Sequence, residues 1–376
     1  MRLNKTPYEV DGRKYMVVDT KAEKVVIGRD FHSVLNKNTG YFVRWGATRE
    51  DDPDMNPIGP EILDIEISVN GCPQAGVKGG CRACYKNNTA GEPVNMSLET
   101  FKQIIVKFPK TLGQVAIGVT GIQTNPDFIP MMRYCREIGI APNFTLSGID
   151  LTQELAIECA KLVGALAVSC YQTDKNICYN TIKTFLDLGV RQTNMHLMVS
   201  NETLPFCYEV LEDIQNDERL TKLNAVVFLT CKPKGRAKGH YTAPNQEQYN
   251  ELVKFCLERN IRFGFDSCSA ARFVNSLDSL NIDEASKRKL IECAESCESD
   301  LFSSYVNVNG EFWHCSFTEN EPGYQPVNML AVEDFQRDVW YAEPVKRFRE
   351  KLLATCVLKS SKGGCRQCPV YSELQV

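Results

Sequence analysis

The sequence of 376 residues predicts an α/β protein, a partial (β/α)6 parallel barrel with a strand-rich N-terminal extension and a cysteine-rich α+β C-terminal module. Three observations predict it. Six short β-branched runs alternate with helix-periodic stretches between about residues 60 and 260. A cysteine loop, Cys72-x8-Cys81-x2-Cys84, follows directly on the first of those runs. The same spacing returns near the other end of the chain as Cys356-x8-Cys365-x2-Cys368, and the inner heptads, KGGCRAC and KGGCRQC, differ at one position.

Residues 1–57 contain the apolar runs YMVVD, KVVIG and YFVRWG, followed by the proline- and acid-rich link DDPDMNPIGP. The strands expected in residues 58–261 are 62–69, 114–121, 141–148, 164–171, 193–200 and 224–231. Amphipathic stretches such as SLETFKQIIVKF and PDFIPMMRYCREIG lie between them, several ending in a glycine suited to a helix C-cap, as at Gly139 and Gly189. Strands separated by helices need right-handed crossovers and so pair in parallel. In such sheets ligands bind at the carboxyl ends of the strands, which is where the first cysteine loop falls. From 262 to 376 the alternation lapses: RFGFDSC is one more strand-like run, Asn309-Gly310 centres a hairpin, and a helical pattern runs from Val332 to Leu353.

The composition, 43% apolar and 24% charged, is that of an ordinary globular protein. A net charge of −4 gives no global footprint for nucleic acid or an anionic membrane. No apolar run approaches the ~18 residues of a membrane span, and the start lacks a basic segment leading into an apolar one. A cytoplasmic location is therefore expected, with the 17 cysteines reduced; their odd number and wide scatter argue against a disulfide framework. Cys135, Cys159, Cys178, Cys207 and Cys256 fall among helix-periodic apolar residues and read as small hydrophobes.

Three thiolates on a short glycine-bearing loop can hold three irons of a cubane cluster and leave the fourth open. Zinc is the alternative, since two C-x2-C pairs make a four-cysteine structural site, although such pairs usually lie close in sequence. A dithiol redox enzyme using Cys81 and Cys84 leaves Cys72 without a role, and a non-catalytic iron–sulfur electron carrier leaves the six βα units unexplained.

With a strand, three cysteines ending in C-x2-C and Tyr85, and six βα units, the chain resembles the radical S-adenosylmethionine (radical SAM) enzymes over about residues 60–376. Cys297-x12-Gly310-x4-Cys315 resembles the auxiliary-cluster signature of the SPASM or twitch group, and CKPKGRAKG resembles the P-x-G-R-[AG] segment after its sixth strand. Two departures stand out. The usual C-x3-C-x2-C is enlarged by the eight residues between Cys72 and Cys81, and Thr120-Gly121-Ile122-Gln123-Thr124 replaces the usual G-G-E-P.

The resemblance implies a [4Fe–4S] cluster on Cys72, Cys81 and Cys84 that binds and reductively cleaves S-adenosylmethionine, giving a 5′-deoxyadenosyl radical that takes a hydrogen atom from the substrate. Thr120, Gly121 and Gln123 are placed to meet the methionyl end of the cofactor. Asn143, Ser147, Ser169 and His196 are the strand residues expected to reach its ribose or carboxylate. One auxiliary [4Fe–4S] cluster is expected on Cys297, Cys315, Cys365 and Cys368, with Cys268 the nearest rival. Asp266 is the candidate base. The expected substrate is a peptide or protein side chain, the alternative being a small molecule or nucleotide anchored by Lys232, Lys234 and Arg236. An electron donor such as a flavodoxin or ferredoxin is implied as partner.

Overall fold

The computed structural model describes residues 4–78, 80–149, 151–356 and 366–375. The chain begins with a five-stranded antiparallel sheet: β1 (Asn4–Val10), β2 (Arg13–Asp19), β3 (Glu23–Ile27), β4 (His32–Asn36) and β5 (Phe42–Trp45), each paired with the next. Two of these strands escape a pattern search. β1 carries Pro7, tolerable because β1 is an edge strand, and β4 is short and half polar.

The large sheet then forms. β6 (Ile62–Glu66) opens it, and a two-stranded ribbon of β7 (Ser68–Val69) and β8 (Val94–Asn95) encloses the first cysteine loop with its short helix α1 (Pro73–Gly76). Helices and strands follow in strict alternation: α2 (Leu98–Ile105), β9 (Gln114–Gly118), α3 (Phe128–Glu137), β10 (Ala141–Leu146), α4 (Gln153–Leu162), β11 (Leu166–Ser169), α5 (Lys175–Asp187), β12 (Thr193–Val199), α6 (Leu204–Asn216), β13 (Ala225–Thr230), α7 (Gln246–Glu258) and β14 (Phe263–Phe265). Local chemistry sets these boundaries. Ser97, Thr152 and Asp174 cap the starts of α2, α4 and α5, and Asn245 with Gln248 forms a capping box on α7. Gly139 and Gly189 take φ of +80° and +86° just past α3 and α5.

All six expected barrel strands are present and pair in parallel, in the order β6-β9-β10-β11-β12-β13. The sheet continues past both expected edges. β14 adds in parallel beside β13. On the other edge β15 (Ser303–Val306) adds in parallel beside β6, followed by β16 (Glu311–Trp313) and β17 (Val327–Asn328). The hairpin turns at Gly310, φ +77°, as expected. The helical pattern of 332–353 is broken: a wide turn over Gln336–Trp340, closed by Tyr341 N to Gln336 O at 2.7 Å, precedes α10 (Glu343–Ala354) with Pro344 in its first turn. α8 (Ala270–Leu277) and α9 (Glu284–Glu292) complete this region.

The sheet curls. Strands lie about 4.8 Å apart, so seven steps along a flat sheet would separate β13 from β16 by about 34 Å. Yet Lys234, just after β13, donates to the carbonyl of Phe317, just after β16, at 3.0 Å. Leu63, Ile65, Val115, Ile117, Phe144 and Val168 face outward into one apolar core under the helices. The alternate residues, such as Asp64, Ala116 and His196, therefore face the lumen. The N-terminal sheet meets the barrel at the strands' amino ends: Lys24 donates to Lys110 O at 2.9 Å, Tyr8 accepts from Lys110 N at 2.7 Å, and Gln192 reaches Thr39 O.

Arg44 joins three regions. Its guanidinium pairs with Glu61 at 3.2 Å and with Glu298, and lies 3.7 Å from the Phe302 ring centre. Burial raises both carboxyl pKa values against the pull of Arg44. Arg44→Ala is expected to cost about 3–5 kcal/mol in urea unfolding at pH 8, because two buried carboxylates lose their cation. The loss should be smaller at pH 5, where they take up protons; equal losses at both pH values would contradict this.

Candidate metal centre and barrel mouth

Cys72 ends the extended segment after β7 and starts α1. Its N–H donates to Thr89 O at 2.9 Å and its carbonyl accepts from Ala75 N at 3.1 Å. Cys81 and Cys84 share a hydrogen bond between their thiols, which pushes Cys81 up and holds Cys84 down at about 6. Arg236, from the loop after β13, fastens this enlarged loop. Its Nε donates to Cys81 O at 3.2 Å, its Nη1 to Asn88 O at 2.9 Å and its backbone N–H to Cys84 O at 3.0 Å. Gly235 permits that approach: at φ +58°, a Cβ there would stand 2.5 Å from the carbonyl oxygens of Cys84 and Tyr85.

The residues expected around the loop divide into those brought to it and those engaged elsewhere. The Thr120 hydroxyl donates to Asn70 O at 2.7 Å and lies 3.0 Å from the Ser68 hydroxyl, tying the end of β9 to the approach to Cys72. Gly121 faces Pro73, where a Cβ would sit 2.9 Å from the ring, and Gln123 is exposed. Ser169 hydrogen-bonds Tyr171, whose phenol is raised by burial and by the nearby Cys81, Cys72 and Cys84. His196 is on the lumen side of β12, with its pKa lowered to about 4 by burial against the opposing charge of Asp266. Ser147 accepts from Ile149 N at 3.3 Å. Asn143 stands deeper, its amide donating to Gln114 at 3.1 Å and accepting from Ala165 N at 2.8 Å.

Three cations of the basic segment are engaged within the protein. Lys232 pairs with Asp266, Lys234 with Glu321 at 3.4 Å, and Arg236 holds the cysteine loop. The anchor expected for a phosphate or small-molecule anion is thus occupied by the protein's own groups. Asp266, the expected base, also accepts from Ser269 at 2.5 Å.

A second group of thiols gathers where the two edges of the sheet approach. Cys268, Cys297, Cys315 and Cys368 perturb one another electrostatically, and burial raises all four, Cys315 to about 12. Cys268, the rival, is therefore grouped with three of the four expected ligands; Cys365 lies outside the described residues. Arg366 donates to Cys297 O at 2.9 Å, and Tyr371 N to the Cys368 sulfur at 3.4 Å. The two thiol groups are joined by their sequence neighbours: Tyr85 packs against Phe317 at 4.7 Å between ring centres, the rings tilted by 43°, and hydrogen-bonds Ser316.

The donor chemistry fits clusters. Cys72, Cys81 and Cys84 act electrostatically on Tyr171, with no imidazole among them, and four thiols form the second group. Among the described residues no three His, Cys, Asp or Glu side chains stand close enough to hold a single metal ion.

Two lumen residues have no place in the sequence reading. Tyr171 follows β11. Asp64, on β6, is open to the lumen but ringed by the barrel wall, and burial pushes its pKa to about 6. The available signal was an acid at a lumen-facing position in the run ILDIEISV.

No family model matches the sequence, and no curated protein matches it. Solved structures do. SuiB of Streptococcus suis, bound to precursor peptide SuiA, aligns with a TM-score of 0.64 at 14% identity over 96% of this chain and 100% of that one. SuiB bound to S-adenosylmethionine gives 0.58 at 16% identity over 85% and 78%. Native anSMEcpe with bound AdoMet and Cp18Cys peptide gives 0.58 at 12% identity over 84% and 95%. At these identities the likeness establishes the fold, and it is the fold expected from the resemblance of the cysteine pattern. No helix among the described residues is long and apolar enough to cross a membrane.

Gly235→Ala should displace the first cysteine loop and leave the second group intact; anaerobic reconstitution should then give about half the parent's iron, and unchanged iron would refute this role. Asp64→Asn bears on burial. A carboxyl whose pKa is raised on folding destabilises the fold above that pKa, so the Asn variant should be more stable than the parent at pH 8. The gain should fade as the pH falls through 6 toward 4. A gain independent of pH in urea midpoints would contradict the assignment.

Proposed function

We propose that this protein is a radical SAM enzyme that modifies a peptide or protein side chain. The observation carrying this reading is the gathering of Cys72, Cys81 and Cys84 on one loop at the carboxyl ends of a curled parallel sheet. The fold shared with structures that hold S-adenosylmethionine and peptides supports it.

With a [4Fe–4S] cluster held on these three thiolates, the bound group would supply one electron to S-adenosylmethionine, whose cleavage to methionine would yield the 5′-deoxyadenosyl radical that abstracts hydrogen. The chain's own residues do the rest. Arg236 and Gly235 hold the loop in register. Tyr171, hydrogen-bonded to Ser169 and within the electrostatic reach of the three thiols, would offer a hydroxyl to the bound cofactor. Thr120 and Gly121 shape the wall expected to receive its methionyl end, and His196, kept neutral, offers a hydrogen bond without adding charge. The N-terminal sheet covers the barrel's amino end, which helps exclude water from the lumen.

The second thiol group is suited to one auxiliary [4Fe–4S] cluster on Cys268, Cys297, Cys315 and Cys368, with Cys365 the remaining candidate. In this reading Asp266 orients Lys232 and is available as a base only if that pair opens. A soluble donor such as a flavodoxin or ferredoxin would deliver the electron, and a cytoplasmic setting would keep the thiols reduced.

The test is anaerobic reconstitution followed by iron analysis and electron paramagnetic resonance of the reduced protein. About eight irons are expected in the parent and about four in a variant with Cys72, Cys81 and Cys84 changed to Ala. The parent spectrum should change on adding S-adenosylmethionine. Zinc in place of iron, or a spectrum indifferent to the cofactor, would overturn the proposal. Cys268→Ser should lower the iron of the triple variant further; no change would favour Cys365 as ligand.

A further inference from the structure

Among the described residues, the lumen contains one carboxylate with no cation. Glu66, two residues along β6, pairs with Lys86 at 3.2 Å, and Asp266 pairs with Lys232. No hydrogen bond or ion pair from the described residues reaches Asp64. Its electrostatic neighbour is the Tyr85 hydroxyl.

Space adjoins this carboxylate. In the parallel register Asp64 lies opposite Ala116 on one side and Tyr305 on the other, and Glu66 lies opposite Gly118. Ala116 and Gly118 project no more than a methyl group into the lumen. The atoms nearest a Cβ built at Gly118 belong to β6, at 3.5 Å or more, and a Cβ at Gly264 on β14 meets nothing within 4 Å. The Tyr305 ring is anchored by its hydroxyl, which accepts from Lys86 at 2.7 Å and donates to Glu319 at 3.0 Å. The hollow thus has small residues on one wall, an aromatic ring on the other and an unpaired acid between.

An unpaired carboxylate that opens into a walled lumen attracts a cation entering beside it. We propose that the hollow bounded by Asp64, Ala116, Gly118 and Tyr305 is a binding subsite for a cationic side chain, an alkylammonium or alkylguanidinium group, of the substrate. The polar end meets Asp64 while the alkyl stem lies against Ala116 and Gly118, extending toward the mouth where the three thiols converge. A lysine or arginine in a peptide has this form, and a neutral or anionic side chain of equal length does not. The identity of the ligand as part of a peptide rests on the proposed function; the existence of the subsite does not.

The test is saturation-transfer NMR on the reconstituted, oxidised protein with n-butylammonium, propylguanidinium and butan-1-ol as probes, without S-adenosylmethionine. Transfer to both cations is expected, with at least a fivefold smaller signal in Asp64→Asn and little transfer to the alcohol in either protein. Asp64→Glu should retain cation binding. Ala116→Leu, which fills the hollow and keeps the charge, should lose it. Cation signals unchanged in Asp64→Asn, or equal transfer to the alcohol, would overturn the subsite. A parent whose spectrum ignores S-adenosylmethionine but whose cation binding depends on Asp64 would retain the subsite and overturn the enzyme reading alone.

Discussion

The loop after β13 holds the architecture together. Lys232, Lys234 and Arg236 reach in different directions within five residues: to Asp266 beyond β14, to the carbonyls of Phe317 and Glu319 beyond β16, and to the carbonyls of Cys81 and Asn88 after β6. These contacts join strands that a flat sheet would keep far apart. Without them the sheet has less to hold its curl, and the two thiol groups, drawn from distant segments, lose their common frame. Lys232 and Lys234 are largely buried, so their hydrogen bonds replace hydration that burial removed.

The C-terminal region is bound into the barrel rather than appended to it. β15 lies on β6 and β14 on β13, so the residues that carry the second thiol group are continuous with the sheet that positions the first. The N-terminal sheet contributes to the same assembly from below. Its Val10, Tyr15, Val17, Val26 and Phe31 share a core with Cys297, Leu301, Phe302 and Phe348. A change in that sheet should therefore be felt at the second thiol group, through packing rather than through any direct chemistry.

Much of the fold was legible because its causes are local. Period-2 and period-3.6 patterns, capping residues and glycines past helix ends specify each βα unit within its own short span. The first cysteine loop was legible for the same reason, as three ligands within one segment. Less legible were β1 and β4, an edge strand with a proline and a short half-polar strand, and the break before α10, where Tyr341-Ala342-Glu343-Pro344 interrupts a helical pattern without erasing it. The basic segment shows the limit of composition. Its cations suggest an anion site until their partners are known.

The sequence by itself determined the parallel α/β class, the six barrel strands, the position of the first cysteine loop at a strand's carboxyl end and the set of cysteines from which the second group is drawn. Tertiary structure decided which of those cysteines meet. Cys268, Cys297, Cys315 and Cys368 come from four separate segments, and nothing local couples them. It also decided that Lys232, Lys234 and Arg236 are engaged internally and that Asp64 faces a hollow without a cation. Local patterns record which way a side chain points from its own backbone; what stands opposite depends on how far the sheet curls, and that is set by contacts between residues remote in the chain.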